Sequence, residues 1–162
     1  SRRQRQMCIR DSIYAIPANA QRVLKIEPET GNVYMIGPEL QPGVQNKWYG
    51  GIVASDGTIW GMPYNASSVL RIDPSTDEVT EIGDFATGGW KWHGGARSGD
   101  FIIGVPSHAD RVLRVDPARR CAYTCYAQAH RLQTARHANR VRRCSPARCS
   151  PLNRRTPFHP PD

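Results

Sequence analysis

From Ile13 to Pro117, apolar and polar residues alternate in short runs, the two-residue period of half-buried β-strands, and turn-forming residues close most runs. The most complete stretch starts with Lys47-Trp48-Tyr49-Gly50-Gly51-Ile52-Val53, which predicts a first strand. Ser55-Asp56-Gly57 follows, a hairpin signal because Asp-Gly supplies the positive φ angles of a tight turn. Thr58 to Pro63 predicts a second strand, and Tyr64-Asn65-Ala66-Ser67 a loop. In the third strand, Ser68 to Asp73, Leu70 and Ile72 share one face and Val69 and Arg71 the other. Asp73-Pro74-Ser75-Thr76-Asp77 turns the chain into a last strand, Glu78 to Gly83, anchored by Val79 and Ile82.

This pattern recurs. Val69-Leu70-Arg71-Ile72-Asp73-Pro74 has counterparts in Val23-Leu24-Lys25-Ile26-Glu27-Pro28 and Val112-Leu113-Arg114-Val115-Asp116-Pro117. Each follows a strand ending in proline (Pro17, Pro63, Pro106), at spacings of 46 and 43 residues. Ile13 to Gly37 and Ile59 to Gly83 agree at 12 of 25 positions, so duplication accounts for them. A period near 45 is the length of one four-stranded β-propeller blade. The expected fold is all-β, a partial propeller of about three four-stranded antiparallel blades at 13–46, 47–90 and 91–117. Three, four and three strands are readable in turn, the first blade lacking its innermost strand and the third breaking off at Pro117. Propellers close with four to eight blades, so missing blades or self-association are implied. The pairs Gly50-Gly51 and Gly94-Gly95, inside predicted strands, fit either close approach to a central axis or a β-bulge.

The pattern Val-Leu-x-Ile-Asp-Pro-x-Thr-x-x-Val-x-x-Ile-Gly, preceded by Ile59-Trp60-Gly61-Met62-Pro63, resembles repeats of the YVTN, NHL and kelch-like propellers over residues 13 to 117. There is no Trp-Asp pair as in WD-type repeats, and kelch's spaced Tyr and Trp do not follow the Gly-Gly pairs. Lys-Trp-x-Gly-Gly, used at Lys47 and Lys91, looks most like propeller proteins of unicellular eukaryotes. The resemblance implies a fold and not a reaction.

The overall charge of +8 hides an asymmetry. Residues 13 to 117 hold 8 Lys and Arg against 12 Asp and Glu, whereas residues 1 to 12 contribute +3 and residues 118 to 162 contribute +9. All five cysteines (Cys8, Cys121, Cys125, Cys144, Cys149) lie in those flanks, so the repeats call for neither disulfide nor metal. Residues 1–12 read as a non-native or disordered leader. Residues 118–162 read as an Arg-, Cys- and Pro-rich disordered tail, frame-shifted near Ala118 where turn and outer strand are due. Ten arginines without lysine in that tail suggest nucleic-acid binding through phosphate contacts, the weakest of three functional readings. The Cys and His spacings there, including His130 and His137, fit zinc knuckles poorly. No apolar run is long enough to cross a membrane, no signal peptide is visible, and the compartment stays open.

Ligands of propellers meet loops at one end of the channel, where equivalent positions of successive blades form a ring. Asn19, Asn65 and His108 are such equivalents after the second strand, and Tyr49 and His93 in the first. Backbone-directed amides for the asparagines, and packing of His93 beside tryptophan, compete with that reading. Asn65-Ala66-Ser67 also matches the glycosylation triplet. The preferred function is a binding module presenting these loops and the aromatics Trp48, Trp90 and Trp92 to a protein, peptide or glycan. The alternative is a lactonase- or lyase-type propeller enzyme using channel histidine and a metal. No nucleophile motif, metal cluster or cofactor signature is seen.

Overall fold

The computed structural model describes residues 12–125. Three antiparallel meanders follow one another: β1 (Ile13–Ala15), β2 (Val23–Glu27) and β3 (Asn32–Ile36); β4 (Trp48–Val53), β5 (Ile59–Pro63), β6 (Val69–Asp73) and β7 (Glu78–Ile82); β8 (Trp92–Ser98), β9 (Phe101–Pro106), β10 (Val112–Asp116) and β11 (Cys121–Cys125). No helix occurs among the described residues. Each sheet packs a face on the next, so the units are successive blades, here A, B and C, with inner strands β4 and β8 side by side.

The turn between third and fourth strands shows what was duplicated. In blade B the Asp73 carboxylate accepts from the Ser75 backbone N–H (3.1 Å) and hydroxyl (2.6 Å), and Asp77 closes the turn at φ +57°. Gly31 in blade A and Arg120 in blade C take the same left-handed conformation, at +70° and +49°. The third blade therefore does not end at Pro117. Arg120 N–H bonds the Pro117 carbonyl (3.1 Å), and β11 pairs with all of β10, from Asp116 with Cys121 to Val112 with Cys125. The described strands number eleven, not ten, and the boundary at Pro117 is corrected to run through Cys125. The turn requires a backbone angle rather than a particular letter, and β10's unpaired edge supplies the fourth strand's register. Cys121 is buried in this sheet, and Cys121 and Cys125 are both disulfide-bonded, so the expectation that all cysteines stand outside the repeats is also corrected. The other expectations for residues 1–11 and 126–162 lie outside the described residues.

Both readings of the glycine pairs hold, one per glycine. Gly50 (φ +72°) and Gly94 (φ +74°) sit where the register slips, between Tyr49 and Gly51 and between Trp92 and Gly95, which makes them bulges. The second glycine of each pair provides room. A Cβ on Gly51 would stand 2.8 Å from Ile16 Cγ1 of blade A, and one on Gly95 would run into the Ile103 carbonyl and lie 2.9 Å from Ile52 Cδ1 of blade B.

Blade B is the middle of the sandwich. Ile59, Leu70, Ile72 and Val79 pack towards Tyr14, Ile16, Val23 and Ile36 of blade A, while Trp60, Met62, Val69 and Ile82 pack towards Ile102, Leu113 and Val115 of blade C. Full burial of each such aliphatic side chain contributes about 1.5–3 kcal/mol, the largest favourable term holding the blades together. Polar contacts fix the rotation. Lys25 reaches from blade A to Asp77 of blade B (2.6 Å), whose other oxygen accepts from the Tyr14 hydroxyl (2.7 Å). Burial pushes the Asp77 carboxyl up, but Lys25 and Tyr14 together outweigh it and hold its pKa below the usual range.

Candidate functional site: an aromatic ladder at one end of the blades

β4 and β8 begin at the end of the blades where the β5–β6, β7–β8 and β9–β10 connections also lie. There five rings form an unbroken series. His93 stacks on Tyr49 (centroids 3.9 Å apart), and Tyr64 meets Tyr49 at 5.9 Å and His93 edge-on at 5.7 Å. Trp90 lies almost parallel to Tyr64 (6.2 Å, 6°), and His108 meets Trp90 edge-on at 5.5 Å. Tyr49, Trp90, His93 and His108 are exposed and Tyr64 half-buried, so the series offers an amphipathic surface to solvent.

Backbone bonds hold it in place. Trp90 has φ +44°, an outlier for so bulky a residue, and strain of this kind persists only where surrounding bonds over-determine it. Here the Trp90 N–H donates to Asn65 Oδ1 (3.1 Å) and its carbonyl accepts from the His108 N–H (3.2 Å). Asn65 Nδ2 in turn donates to the Gln45 carbonyl (3.0 Å). The same clamp exists one blade earlier, where Asn19 Oδ1 accepts from the N–H of Asn46 (2.7 Å), also at positive φ. The lysine after each clamped residue is buried. Lys91 Nζ donates to the carbonyls of Gly88 (2.9 Å) and Tyr64 (3.4 Å), and burial lowers its pKa to about 8. Burial lowers that of Lys47 as well, Glu81 opposing. Both lysine side chains are buried.

The anticipated residues thus divide. Tyr49, His93, Trp90 and His108 come together in the ladder. Asn19 and Asn65 lie beside it as clamps from blade to blade, their oxygens turned to backbone. Trp48 and Trp92 are not surface aromatics: they are 1% and 2% exposed, and their indole N–H groups donate to the carbonyls of Ser68 (2.7 Å) and Arg111 (2.9 Å). Their place in the two-residue alternation, next to exposed Tyr49 and His93, turns them into the core. Tyr64 was missed as a site residue, since its two equivalents, Ala18 and Ser107, are not aromatic and no repeat signal marks it. Among the described residues, no three His, Cys, Asp or Glu side chains are grouped to hold a metal.

Successive antiparallel sheets of three, four and four strands packed face to face make the described residues a partial β-propeller. Solved structures share that fold at low sequence identity. A streptogramin B lyase matches with TM-score 0.58 and 14% identity over 75% of this chain and 39% of the lyase. The virginiamycin B lyase of Staphylococcus aureus matches at 0.55 and 15% over 74% and 39%, and the hydrazine synthase of Kuenenia stuttgartiensis at 0.53 and 16% over 72% and 33%. The chain therefore spans about two fifths of either lyase. No family model matches it, and no curated protein matches it in sequence. No helix of the described residues is long and apolar enough to cross a membrane.

Proposed function

We propose that this chain is a propeller binding module and that the ladder of Tyr49, Tyr64, Trp90, His93 and His108 is its binding face, for a protein, peptide or glycan. Descent from the YVTN, NHL and kelch-like repeats belongs to the same reading. One observation carries it: a half-exposed tryptophan is kept in an unfavourable backbone conformation by the Asn65 clamp and lies parallel to a second ring at the end of the blades. Flat rings of this kind supply contact area at low entropy cost to a partner with an apolar face. Of the four tryptophans, Trp48, Trp60 and Trp92 are buried and Trp90 is 52% exposed, so quenching by a neutral solute reports chiefly on Trp90. A screen of peptides and oligosaccharides for compounds that protect this fluorescence tests the reading. Ligands that protect wild type and fail to bind Trp90→Ala are expected; binders unaffected by Trp90→Ala and Tyr49→Ala would place the site elsewhere.

The second reading is a lyase-type enzyme, favoured by the fold shared with a streptogramin B lyase and a virginiamycin B lyase and by two histidines on one ladder. Histidine is the side chain best suited to proton transfer near neutral pH. Turnover of a streptogramin B, followed by mass spectrometry with and without divalent ions, tests it. Loss of turnover in His93→Ala or His108→Ala would support this reading over simple binding.

A further inference from the structure

The polar tips of the ladder are open. Trp48, Trp60 and Trp92 each commit their indole N–H inside the protein, to the Ser68 carbonyl (2.7 Å), the Thr58 hydroxyl (2.7 Å) and the Arg111 carbonyl (2.9 Å). The Trp90 indole N–H and the Tyr49 and Tyr64 hydroxyls have no partner among the described residues. Trp90 and Tyr49 are also about half exposed, at 52% and 49%. Three donors, two of which also accept, therefore stand at the rims of the ring faces.

The rings leave no slot between them. Non-bonded carbons sit about 3.5–4.0 Å apart, so a flat group held between two parallel rings needs about 7 Å from plane to plane. Tyr64 and Trp90, the parallel pair, have centroids only 6.2 Å apart, and His93 stacks on Tyr49 at 3.9 Å. A proline ring or a nucleobase cannot enter, and a ligand has to lie across the outside of the series. Nucleic acid is disfavoured a second time: residues 13 to 117 carry 8 Lys and Arg against 12 Asp and Glu, and a phosphate backbone needs a cationic track. No Lys, Arg, Asp or Glu belongs to the ladder. Lys47 and Lys91 are buried, and Asp110 and Arg111, just past His108 in the chain, pair with each other (3.5 Å).

We propose that the ladder receives an uncharged oligosaccharide, which rests on the ladder being the binding face. A pyranose carries C–H groups on its faces and hydroxyls around its rim. It can cover aromatic faces while its hydroxyls bond the Trp90 N–H and the two tyrosine hydroxyls. A peptide docks on aromatic rings through grooves that take proline, or adds its backbone to a sheet edge, and this row of side chains supplies neither.

Titration of the full chain with cellohexaose, chitohexaose and mannohexaose, against polygalacturonate and a proline-rich peptide, tests this. The readout is protection of Trp90 from a neutral quencher, with circular dichroism as the control for folding. A neutral hexasaccharide is expected to bind saturably and protect Trp90, and Trp90→Ala to abolish its binding. Trp90→Phe, Tyr49→Phe and Tyr64→Phe each keep a ring and lose a tip, so each should weaken binding about three- to tenfold. Protection by the peptide alone, or by polygalacturonate in preference, overturns the proposal and leaves the ladder as a binding face, as do phenylalanine variants that bind as tightly as wild type. Saccharide binding that survives Trp90→Ala overturns both readings. Absence of protection by every hexasaccharide at millimolar concentration overturns this one.

Discussion

A single residue's role in this protein follows from which side of the strand it occupies. Trp48 and Tyr49 are neighbours, yet one is sealed in the core and the other open to solvent. Trp48→Ala should cost about 3–5 kcal/mol, from lost burial and an unfilled cavity, whereas Trp90→Ala should stay within about 0.5 kcal/mol; urea denaturation of both compares them directly. Asn65 gives a sharper case. Its amide is committed to Trp90 and Gln45, so Asn65→Ala should lose about 1–3 kcal/mol through the orphaned groups, and the Asn65-Ala66-Ser67 triplet should stay unmodified on the folded chain expressed in a glycosylating host. Intact-mass measurement reads the second outcome. Lys91 adds a pH dependence. Its pKa falls to about 8 on folding, so between that value and its ordinary 10.5 the unfolded chain binds more protons than the folded one. Stability therefore gains from this group as pH rises from about 8 towards 10, and Lys91→Met should remove that gain in melts compared at pH 7.5 and 9.5.

At the scale of the element, the fourth strand of blade C separates what the sequence makes legible from what it does not. Strands β4 to β7 are readable because alternation, Asp-Gly and Asp-Pro signals agree at each step. β11 is not, because Ala118-Arg119-Arg120 lacks any turn-forming residue and the abrupt change of composition argues against a strand. The geometry comes from elsewhere: Asp116 Oδ1 accepts from the Arg119 N–H (3.1 Å), and β10 offers a full row of partners. Arg120→Gly should relieve the left-handed backbone by about 1 kcal/mol and raise the melting temperature. Native-state hydrogen exchange checks the strand itself: amides of β11 bonded to β10 should be protected to the degree of those in β7, and free exchange there would restore the boundary at Pro117. The glycine pairs were half legible, since sequence marks an unusual strand without saying which glycine bends it and which one makes room. Gly95→Ala meets its own sheet's carbonyl at Ile103 and Ile52 of blade B, so it should destabilise far more than Gly57→Ala, whose Cβ would have open space and only an unfavourable φ.

Across the whole molecule, the repeat period makes the architecture readable, and the site is readable only where repeated positions happen to be aromatic. The ladder is assembled between blades, with Tyr49 and Tyr64 from blade B, His93 and His108 from blade C and Trp90 from the connection joining them, so no single repeat contains it. How those connections are bonded has a mechanical consequence. The segment leading into blade B is laced to blade A, by Leu40 N–H to the Gln21 carbonyl (2.8 Å) and Lys47 N–H to the Ala18 carbonyl (2.9 Å). The segment leading into blade C is laced to blade B, by Phe85 to Ser67 (2.7 Å), Gly88 to Asn65 (2.7 Å) and Lys91 to Tyr64 (2.8 Å). Blades A and B thus each carry the tether of the next blade stitched along their own rim. Tension applied across the described blades has to break those stitches before a sheet can leave its neighbour, so the blades should yield at higher force than sheets joined by free loops, which single-molecule pulling reads.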